Sequence, residues 1–315
     1  MTFTKFFEKA SLFILRKIKE LVLTSFFKLK YILSGGSICP GIKDFPEFLV
    51  RKKEIYKKER KDGVSGFYRV KNEEQLLEKS VLSHLPYLDE IIIVHNDCSD
   101  KTPEIAKKLA QKYPEKIKVY EYKPKVFPAL SHKHVVTCAS SPHSLANYYN
   151  FALSKTNYKI AVKIDADHLA IQDRFAQAVE KIRKEGIDTL MYFYGVNVYK
   201  SKKGDRWLVN KRNPFTAGSD CGFFPVKKGV YFTQRLDSEA LHIPILWHMS
   251  KFSIGVLFYH IKAIKPDKGT SVFEKDEFAK RKKDKIKDIL NNPELVEFSQ
   301  IDDEKIQGIN NECVI

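Results

Sequence analysis

The sequence is poor in the residues that mark several classes of protein. Its 315 residues include only five cysteines, 14 glycines and 13 prolines, and no C-x-x-C pair occurs. The cysteines are odd in number and widely spaced, so we expect neither a disulfide framework nor a structural zinc site, and a reducing compartment is the default interpretation. The glycine and proline content excludes a collagen or a low-complexity polymer. We find no internal repeat.

The chain carries an excess of positive charge. Lysine and arginine number 55 against 39 aspartate and glutamate residues, which gives a formal charge of +16. Such a balance is typical of proteins that bind nucleic acids, anionic membranes or phosphorylated small molecules, and composition alone does not choose among these partners. The densest basic run, residues 51–61, contains no recognisable nucleic-acid motif. Nucleic-acid binding is therefore an alternative that rests on charge alone.

The first 34 residues predict a basic amphipathic helix. Apolar residues share one helical face, and charged residues cover the opposite one. The longest uncharged runs, Ala10–Leu15 and Leu21–Phe27, are far shorter than the ~20 apolar residues that a membrane-spanning helix needs. The charges also interrupt any signal-peptide core, and no cleavage site follows. We expect residues 1–34 to lie on an anionic membrane surface, the alternative being a helix packed on the protein's own core.

The rest of the chain divides into three parts. Residues 35–62 form a linker and a charged helix, residues 63–270 a folded domain, and residues 271–315 a helical tail rich in lysine and glutamate. Within the domain, strands predicted at 66–70, 90–95, 116–122, 158–164 and 189–194 alternate with helices at 72–83, 102–112, 144–154 and 173–185. This alternation predicts an α/β fold with a mainly parallel sheet flanked by helices.

Polar clusters follow three of the predicted strands. They are residues 69–73 after the first strand, 96–102 after the second and 165–168 after the fourth. Ligands of open parallel sheets bind beyond the carboxyl ends of the strands. The three clusters are therefore expected to share one rim of the sheet.

Asp165 and Asp167 form the most informative of these clusters. Two carboxylates two positions apart, directly after a buried strand, suit Mg²⁺ or Mn²⁺, which bind a few carboxylates together with phosphate oxygens. In the second cluster, Asp97 and Asp100 offer acceptors for ribose and base hydroxyl groups. The alternative in both cases is a turn that caps the next helix, as Asp100 or Thr102 would.

Four motifs in this chain resemble, in order, those of GT-A glycosyltransferases. They are FYRVKNE (residues 67–73), NDCSD (96–100), YYN (148–150) and KIDADH (163–168). Within that fold, the sequence is similar to the bacterial β-1,4-N-acetylgalactosaminyltransferases of lipooligosaccharide outer-core synthesis, which share R-V-K-N-E, N-D-C-[ST]-D, Y-Y-N and K-I-D-x-D-H. The resemblance covers about residues 64–170 and thins beyond them.

The resemblance implies a GT-A, Rossmann-like fold and a nucleotide-sugar donor, usually UDP-linked. By position, Asp165 and Asp167 would hold Mn²⁺ or Mg²⁺ on the diphosphate. Arg69, Asn72, Glu73, Asp97 and Asp100 would line the nucleotide pocket, with the two aspartates near the uridine. A downstream histidine often completes the metal site in this fold, and His248 and His260 are both candidates.

Residues 218–224 (GSDCGFF) are expected to form a loop on the acceptor side. The family has G-D-C at this place, whereas this chain inserts Ser219. Asp220 is the first candidate for the general base and Glu239 the second. The alternative interpretation of Asp220 is a turn aspartate without a catalytic role.

These expectations combine into a metal-dependent, inverting glycosyltransferase. It would move a sugar, with N-acetylgalactosamine as the candidate, from a UDP-sugar to a lipid-linked glycan such as lipooligosaccharide. Its location would be cytoplasmic, peripheral on the inner face of the cell membrane. A nucleotidyltransferase that makes nucleotide sugars is the enzymatic alternative, but such an enzyme normally carries a glycine- and lysine-rich phosphate loop, which residues 64–75 lack.

Overall fold

The computed structural model describes most of the chain. The described residues are 18, 21–129, 131–200, 207–210, 214–216, 221–235, 238–262 and 295–297. Nearly all of residues 1–20 of the predicted amphipathic helix, most of the tail at 271–315, and Asp220 lie outside them.

Helices and strands alternate through the domain. The helices are α1 (residues 21–33), α2 (Lys52–Tyr56), α3 (Leu77–His84), α4 (Thr102–Lys112), α5 (His132–Val136), α6 (Leu145–Lys155), α7 (Gln172–Glu185) and α8 (Trp247–Ser250), with a short 3₁₀ helix at Pro46–Phe48. The strands are β1 (Lys61–Val70), β2 (Glu90–His95), β3 (Ile117–Glu121), β4 (Tyr158–Ile164), β5 (His168–Ala170), β6 (Met191–Lys200), β7 (Trp207–Asn210), β8 (Gly222–Pro225), β9 (Tyr231–Gln234), β10 (Glu239–His242), β11 (Phe252–Lys262) and β12 (Leu295–Glu297).

One large sheet forms the centre of the fold. Its strands lie in the order β12-β7-β6-β8-β4-β1-β2-β3, and β11 pairs with both β6 and β5. Strands β3, β2, β1 and β4 run parallel, whereas β8 is antiparallel to its neighbours β4 and β6. Strands β9 and β10 form a separate antiparallel hairpin. The predicted α/β fold with helices flanking a central sheet is confirmed. The sheet, predicted as mainly parallel, is parallel over β3, β2, β1 and β4 and between β6 and β11, and its other pairings are antiparallel. The carboxyl ends of β1, β2 and β4 meet at one edge.

The continuous apolar run of β2 explains its central place. Ile91, Ile92, Ile93 and Val94 are fully buried because helices cover both faces of the strand. Ile91 and Ile93 pack in a cluster with residues of α3, α4 and α7 on one face of the strand. Ile92 and Val94 pack with residues of α6 on the other face. Strand β2 and helices on both sides therefore set the position of the polar segments that follow.

The boundaries of β2, α4 and β4 agree with those predicted from the sequence. Strand β1 begins at Lys61 rather than at residue 66, and β6 ends at Lys200 rather than at residue 194. Two further predictions differ more. Helix α3 begins at Leu77 rather than at residue 72, because residues 71–74 hydrogen-bond to residues 97–102 after β2 instead of to a helix. The tail predicted as helical contains the strand β12, which pairs antiparallel with the edge strand β7.

Helix α1 leaves its apolar face in solvent. Val22, Phe26, Leu29 and Leu33 recur at helical spacing, and between 56% and 78% of each side chain is exposed. Burial on the protein's own core, the alternative considered for this segment, does not occur for these residues. Among the described residues, no helix is long and apolar enough to cross a membrane.

The expectation that the chain has no disulfide is wrong. Cys39, after α1, is bonded to Cys138, after α5, whereas Cys98 and Cys221 are free. The two bonded cysteines are 99 residues apart in the sequence, and only the fold brings them together. The inference of a reducing compartment, which rested on the absence of disulfides, loses that basis.

We expect the double substitution Cys39→Ser/Cys138→Ser to lower the free energy of unfolding by about 2–4 kcal/mol, because the bridge restricts a long loop in the unfolded chain. Urea unfolding in non-reducing buffer measures the change, with Cys98→Ser as the control that leaves stability nearly unchanged. Equal stability of the wild-type protein with and without a thiol reductant would contradict the prediction.

Candidate active site

Helix α6 joins the elements that surround the site through the motif Tyr148-Tyr149-Asn150. The Tyr148 hydroxyl donates to the carbonyl of Val94 at 2.7 Å, at the end of β2. Tyr149 accepts a hydrogen bond from the guanidinium of Arg69, which also lies over its ring. Asn150 makes a reciprocal pair with the backbone of Phe232 in β9, at 2.9 and 2.7 Å. Three adjacent residues thereby position β2, β1 and the β9–β10 hairpin.

Hydrogen bonds join the loops that follow β1 and β2. Asn72 accepts from the backbone nitrogen of Ser99 at 2.8 Å, and the backbone nitrogen of Glu73 donates to the Thr102 hydroxyl at 2.7 Å. One carboxylate oxygen of Asp100 accepts from the backbone nitrogen of Thr102 at 3.0 Å and the other from that of Glu74 at 3.0 Å. The helix-terminus role considered for Asp100 is thus present, and both of its oxygens are occupied.

Asp97 lies beside these loops with a different environment. It is about half exposed and pairs with the ammonium of Lys71 at 2.6 Å. Asp97 and Asn72 have φ angles of 46° and 53°, in the left-handed region that side chains rarely adopt. Such backbone conformations concentrate at functional sites. Four of the residues predicted to line the nucleotide pocket, Asn72, Glu73, Asp97 and Asp100, thus lie on adjoining loops, and two of them have this strained backbone.

A cluster of possible metal ligands lies at the end of β4. The ligand atoms of Asp167, His168 and His260 lie within 4.8 Å of one another. His260 is brought there by the antiparallel pairing of β11 with β5, in which it lies opposite His168. Its Nε2 is 3.2 Å from the carboxylate of Asp167. Asp165 lies outside this group and pairs with the ammonium of Lys163 at 3.2 Å.

The pKa shifts in this cluster leave the imidazole of His168 neutral and the carboxyl group of Asp167 ionised at neutral pH, which are the states that bind a cation. Burial lowers the pKa of His168 to about 3 against the opposing effect of two neighbouring carboxylates, so the ring is neutral. Burial alone would raise the pKa of Asp167, but the hydrogen bond and charge of His260 hold it far below its ordinary value. The ammonium of Lys262 lies 2.5 Å from His260 Nε2, and a metal bound through this atom would displace it.

Arg69 and Lys163 supply positive charge between this cluster and the hairpin. Both interact electrostatically with Asp165 and with Glu239. Burial would raise the pKa of Asp165, but Lys163, His168 and Arg69 lower it to about 2. Lys163 keeps its charge as well, since burial lowers its pKa less than the neighbouring Asp165 and Tyr149 raise it. Arg69, predicted in the nucleotide pocket, thus lies at the centre of the site.

A cavity of about 120 Å³ opens beside Lys163. Glu239 and Arg235 line it from the β9–β10 hairpin, and His248 and Lys251 line it from α8 and the residue after α8. The structure thereby separates the two histidine candidates, since His260 lies with Asp167 and His248 lies in this cavity. The remaining lining residues are mainly apolar or small, as expected for a pocket with a few convergent polar groups.

Sequence reasoning did not name His168 as a ligand, although it follows directly on the Asp-x-Asp pair. The turn at 165–168 is tight, with the His168 nitrogen donating to the Asp165 carbonyl at 3.0 Å, and it returns the imidazole to the carboxylates. A histidine immediately after two spaced aspartates was the available signal. Asp220, the first candidate for the base, lies outside the described residues.

Solved structures with local similarity to this chain include two glycosyltransferases. S. aureus TarS 1–349 in complex with UDP is 18% identical over 44% of this chain and 36% of that chain, with a TM-score of 0.28. Glucosyl-3-phosphoglycerate synthase from Mycobacterium tuberculosis, in complex with Mn²⁺, UDP and phosphoglyceric acid, is 16% identical over 49% of each chain, with a TM-score of 0.30. In these two alignments this chain spans about half of the other chain or less. No curated protein sequence matches the chain.

The decisive comparison is with a sequence family. The model of "Glycosyl transferase family 2" matches residues 69–248, which is more than half of the 315 residues and contains the three polar clusters and the hairpin. This match decides between the two enzymatic alternatives in favour of sugar transfer. The chain belongs to glycosyl transferase family 2, and its α/β domain is a glycosyltransferase of the GT-A type.

Proposed function

We propose that the enzyme transfers a sugar from a UDP-sugar to a lipid-linked surface glycan, in a metal-dependent reaction with inversion at the anomeric carbon. The sequence resemblance offers N-acetylgalactosamine as the sugar and lipooligosaccharide as the acceptor. The observation that carries the proposal is the position of the Asp167, His168 and His260 cluster. It lies at the sheet edge that also carries the loops after β1 and β2, and Lys163, which pairs with Asp165 beside the cluster, also lines the cavity of Glu239.

The donor set of this cluster fits a divalent cation. It offers one carboxylate and two imidazole groups, and the neutral state of His168 leaves a nitrogen lone pair available. Mg²⁺ strongly prefers oxygen ligands, whereas a mixed nitrogen and oxygen set suits Mn²⁺ better. When bound there, the ion would neutralise the charge that grows on the departing diphosphate.

Other residues of the site would bind the nucleoside, bind the diphosphate and accept the proton of the acceptor hydroxyl. The exposed Asp97 and the loops after β1 and β2 would bind the nucleoside, and the buried cations Arg69 and Lys163 would favour negative charge on the diphosphate. Glu239 lines the cavity and is the described carboxylate placed to accept the proton of an acceptor hydroxyl. Asp220 remains a predicted base that the described residues do not include.

Replacing His260 tests the metal assignment. We expect His260→Gln and Asp167→Asn to lose Mn²⁺ binding and to lower UDP release from a UDP-sugar at least a hundredfold, because each removes a ligand from a three-member set. The matched control is His248→Gln, which changes a histidine in the adjacent cavity and should retain Mn²⁺ affinity. Calorimetric titration with Mn²⁺ in the presence of UDP gives the affinity. Full turnover of the wild-type enzyme in EDTA would contradict the assignment.

Glu239→Gln tests the proposed base. The substitution keeps the size of the side chain and removes its ability to take a proton, so turnover should fall about 10²–10⁴-fold. Affinity for UDP and Mn²⁺ should stay close to that of the wild type, since Glu239 faces the cavity rather than the metal cluster. Unchanged turnover in Glu239→Gln, together with inactivity of Asp220→Asn, would assign the role to Asp220 instead.

Helix α1 supports a membrane-bound acceptor. Its exposed stripe of Val22, Phe26, Leu29 and Leu33 would insert at the boundary between lipid head groups and acyl chains. Nearby lysines would contact anionic head groups, and each lysine would contribute about 1 kcal/mol to binding. We place the enzyme on the inner face of the cell membrane. In the reducing compartment there, disulfides rarely persist, so the fold must remain stable with the Cys39–Cys138 bridge open.

Three substitutions in the full chain test this surface. Val22→Glu, Phe26→Glu and Leu29→Glu together should abolish binding to anionic phosphatidylglycerol liposomes, measured by co-sedimentation, and high salt should weaken binding of the wild type. The control Gln111→Glu/Gln172→Glu/Gln177→Glu adds the same charge at exposed positions of α4 and α7, and should retain most of the binding. Equal liposome binding by the α1 variant and the control would refute the membrane role.

A further inference from the structure

A serine of α3 hydrogen-bonds to the turn at residues 165–168, which carries two of the proposed metal ligands. The side chain of Ser80 is fully buried. Its hydroxyl lies 2.5 Å from the carbonyl oxygen of His168 and 3.4 Å from that of Asp165. In the described part of the chain, no other residue of α3 hydrogen-bonds to this turn. The Ser80 hydroxyl therefore contacts both ends of the segment that holds Asp167.

The backbone carbonyl of Ser80 determines which groups donate in the hydrogen bonds among Tyr68, Ser80 and His84. His84 Nδ1 lies 2.8 Å from the carbonyl oxygen of Ser80, and a carbonyl only accepts, so Nδ1 carries the proton. The Tyr68 hydroxyl lies near both His84 Nδ1 and Ser80 Oγ, at 3.2 and 3.3 Å. Because Nδ1 is protonated, Tyr68 donates to Ser80 instead. The Ser80 proton is then free for the carbonyl of His168.

The carbonyl groups of Asp165 and Asp167 accept hydrogen bonds from the backbone. The carbonyl of Asp167 accepts from the nitrogen of Ile261 in β11 at 2.8 Å, and that of Asp165 accepts from the nitrogen of His168 at 3.0 Å. Ser80 thus adds a side-chain hydrogen bond to a turn held by these main-chain bonds and by the Asp165 nitrogen, which donates to His168 Nδ1 at 3.5 Å. Loss of its hydroxyl would leave the carbonyl of His168 buried and unsatisfied, and the turn would shift to relieve this.

We propose that Ser80 is a positioning residue for the metal centre: through the chain Tyr68, Ser80, His168 it holds the ligands Asp167 and His168 in the geometry that a divalent cation requires. The inference rests on the metal dependence proposed above. Residues that orient metal ligands through hydrogen bonds typically contribute 10–100-fold to metal affinity. Ser80→Ala should therefore weaken Mn²⁺ binding by about that factor.

The experiment measures Mn²⁺ binding to the full chain with saturating UDP, from the electron paramagnetic resonance signal of free Mn²⁺, so that no turnover is needed. The matched control is Ser83→Ala. Ser83 lies on the same helix and accepts from the nitrogen of Ala170 at 3.1 Å, but it does not contact the carbonyls of Asp165 or His168. We expect Ser83→Ala to retain wild-type affinity, and Ser80→Thr, which keeps the hydroxyl, to restore most of the affinity lost in Ser80→Ala.

Two further outcomes distinguish a failure of the positioning role from a failure of the proposed metal dependence. If the wild type binds Mn²⁺ and Ser80→Ala binds it equally well, the positioning role is refuted and the proposed metal dependence stands. If the wild type binds no Mn²⁺, the metal dependence itself is refuted. Should Ser80→Ala not fold, Tyr68→Phe replaces it, because this change removes the donor and leaves Ser80 in place. A several-fold loss of affinity is expected there, and unchanged affinity would overturn the proposal.

Discussion

The need to neutralise buried charge organises this active site. Lys163 is buried and Arg69 is partly buried beside the partly buried carboxylates of Asp165 and Glu239, and a buried charge without such partners would be strongly unfavourable. The four groups come from β1, β4 and β10. Their mutual attraction therefore ties the parallel half of the sheet to the β9–β10 hairpin, and this arrangement brings the metal-ligand cluster and the cavity of Glu239 close together.

Helix α6 shows how an apolar core accommodates polar residues that serve a site. Tyr148 and Tyr149 are almost fully buried, and their hydroxyl groups are satisfied by the Val94 carbonyl and by Arg69. Asn150 uses its amide to pair with the backbone of Phe232. A buried polar group is tolerated only when hydrogen-bonded, so these contacts also restrict the possible positions of the strands and the hairpin. The Y-Y-N motif therefore has a structural explanation that does not involve contact with substrate.

The parts of the fold that sequence reasoning predicted correctly are those dictated by local pattern. The apolar run of β2 and the run of β4 predict buried strands, and the polar residues after them predict a shared rim. What could not be predicted depends on contacts between distant segments. The position of His260, rather than His248, beside Asp167 follows from the register of β11 against β5, and the Cys39–Cys138 bridge joins residues that the spacing of cysteines does not relate.

The central claim is that Asp167, His168 and His260 form the divalent-cation site of a family 2 glycosyltransferase. A crystal of the protein grown with Mn²⁺ and UDP, measured near the manganese absorption edge, tests it most directly. The account predicts an anomalous-scattering peak within bonding distance of Asp167 and His260, with the diphosphate on the same ion and the nucleoside against the loops after β1 and β2. Bound UDP with no manganese peak at these residues would contradict it.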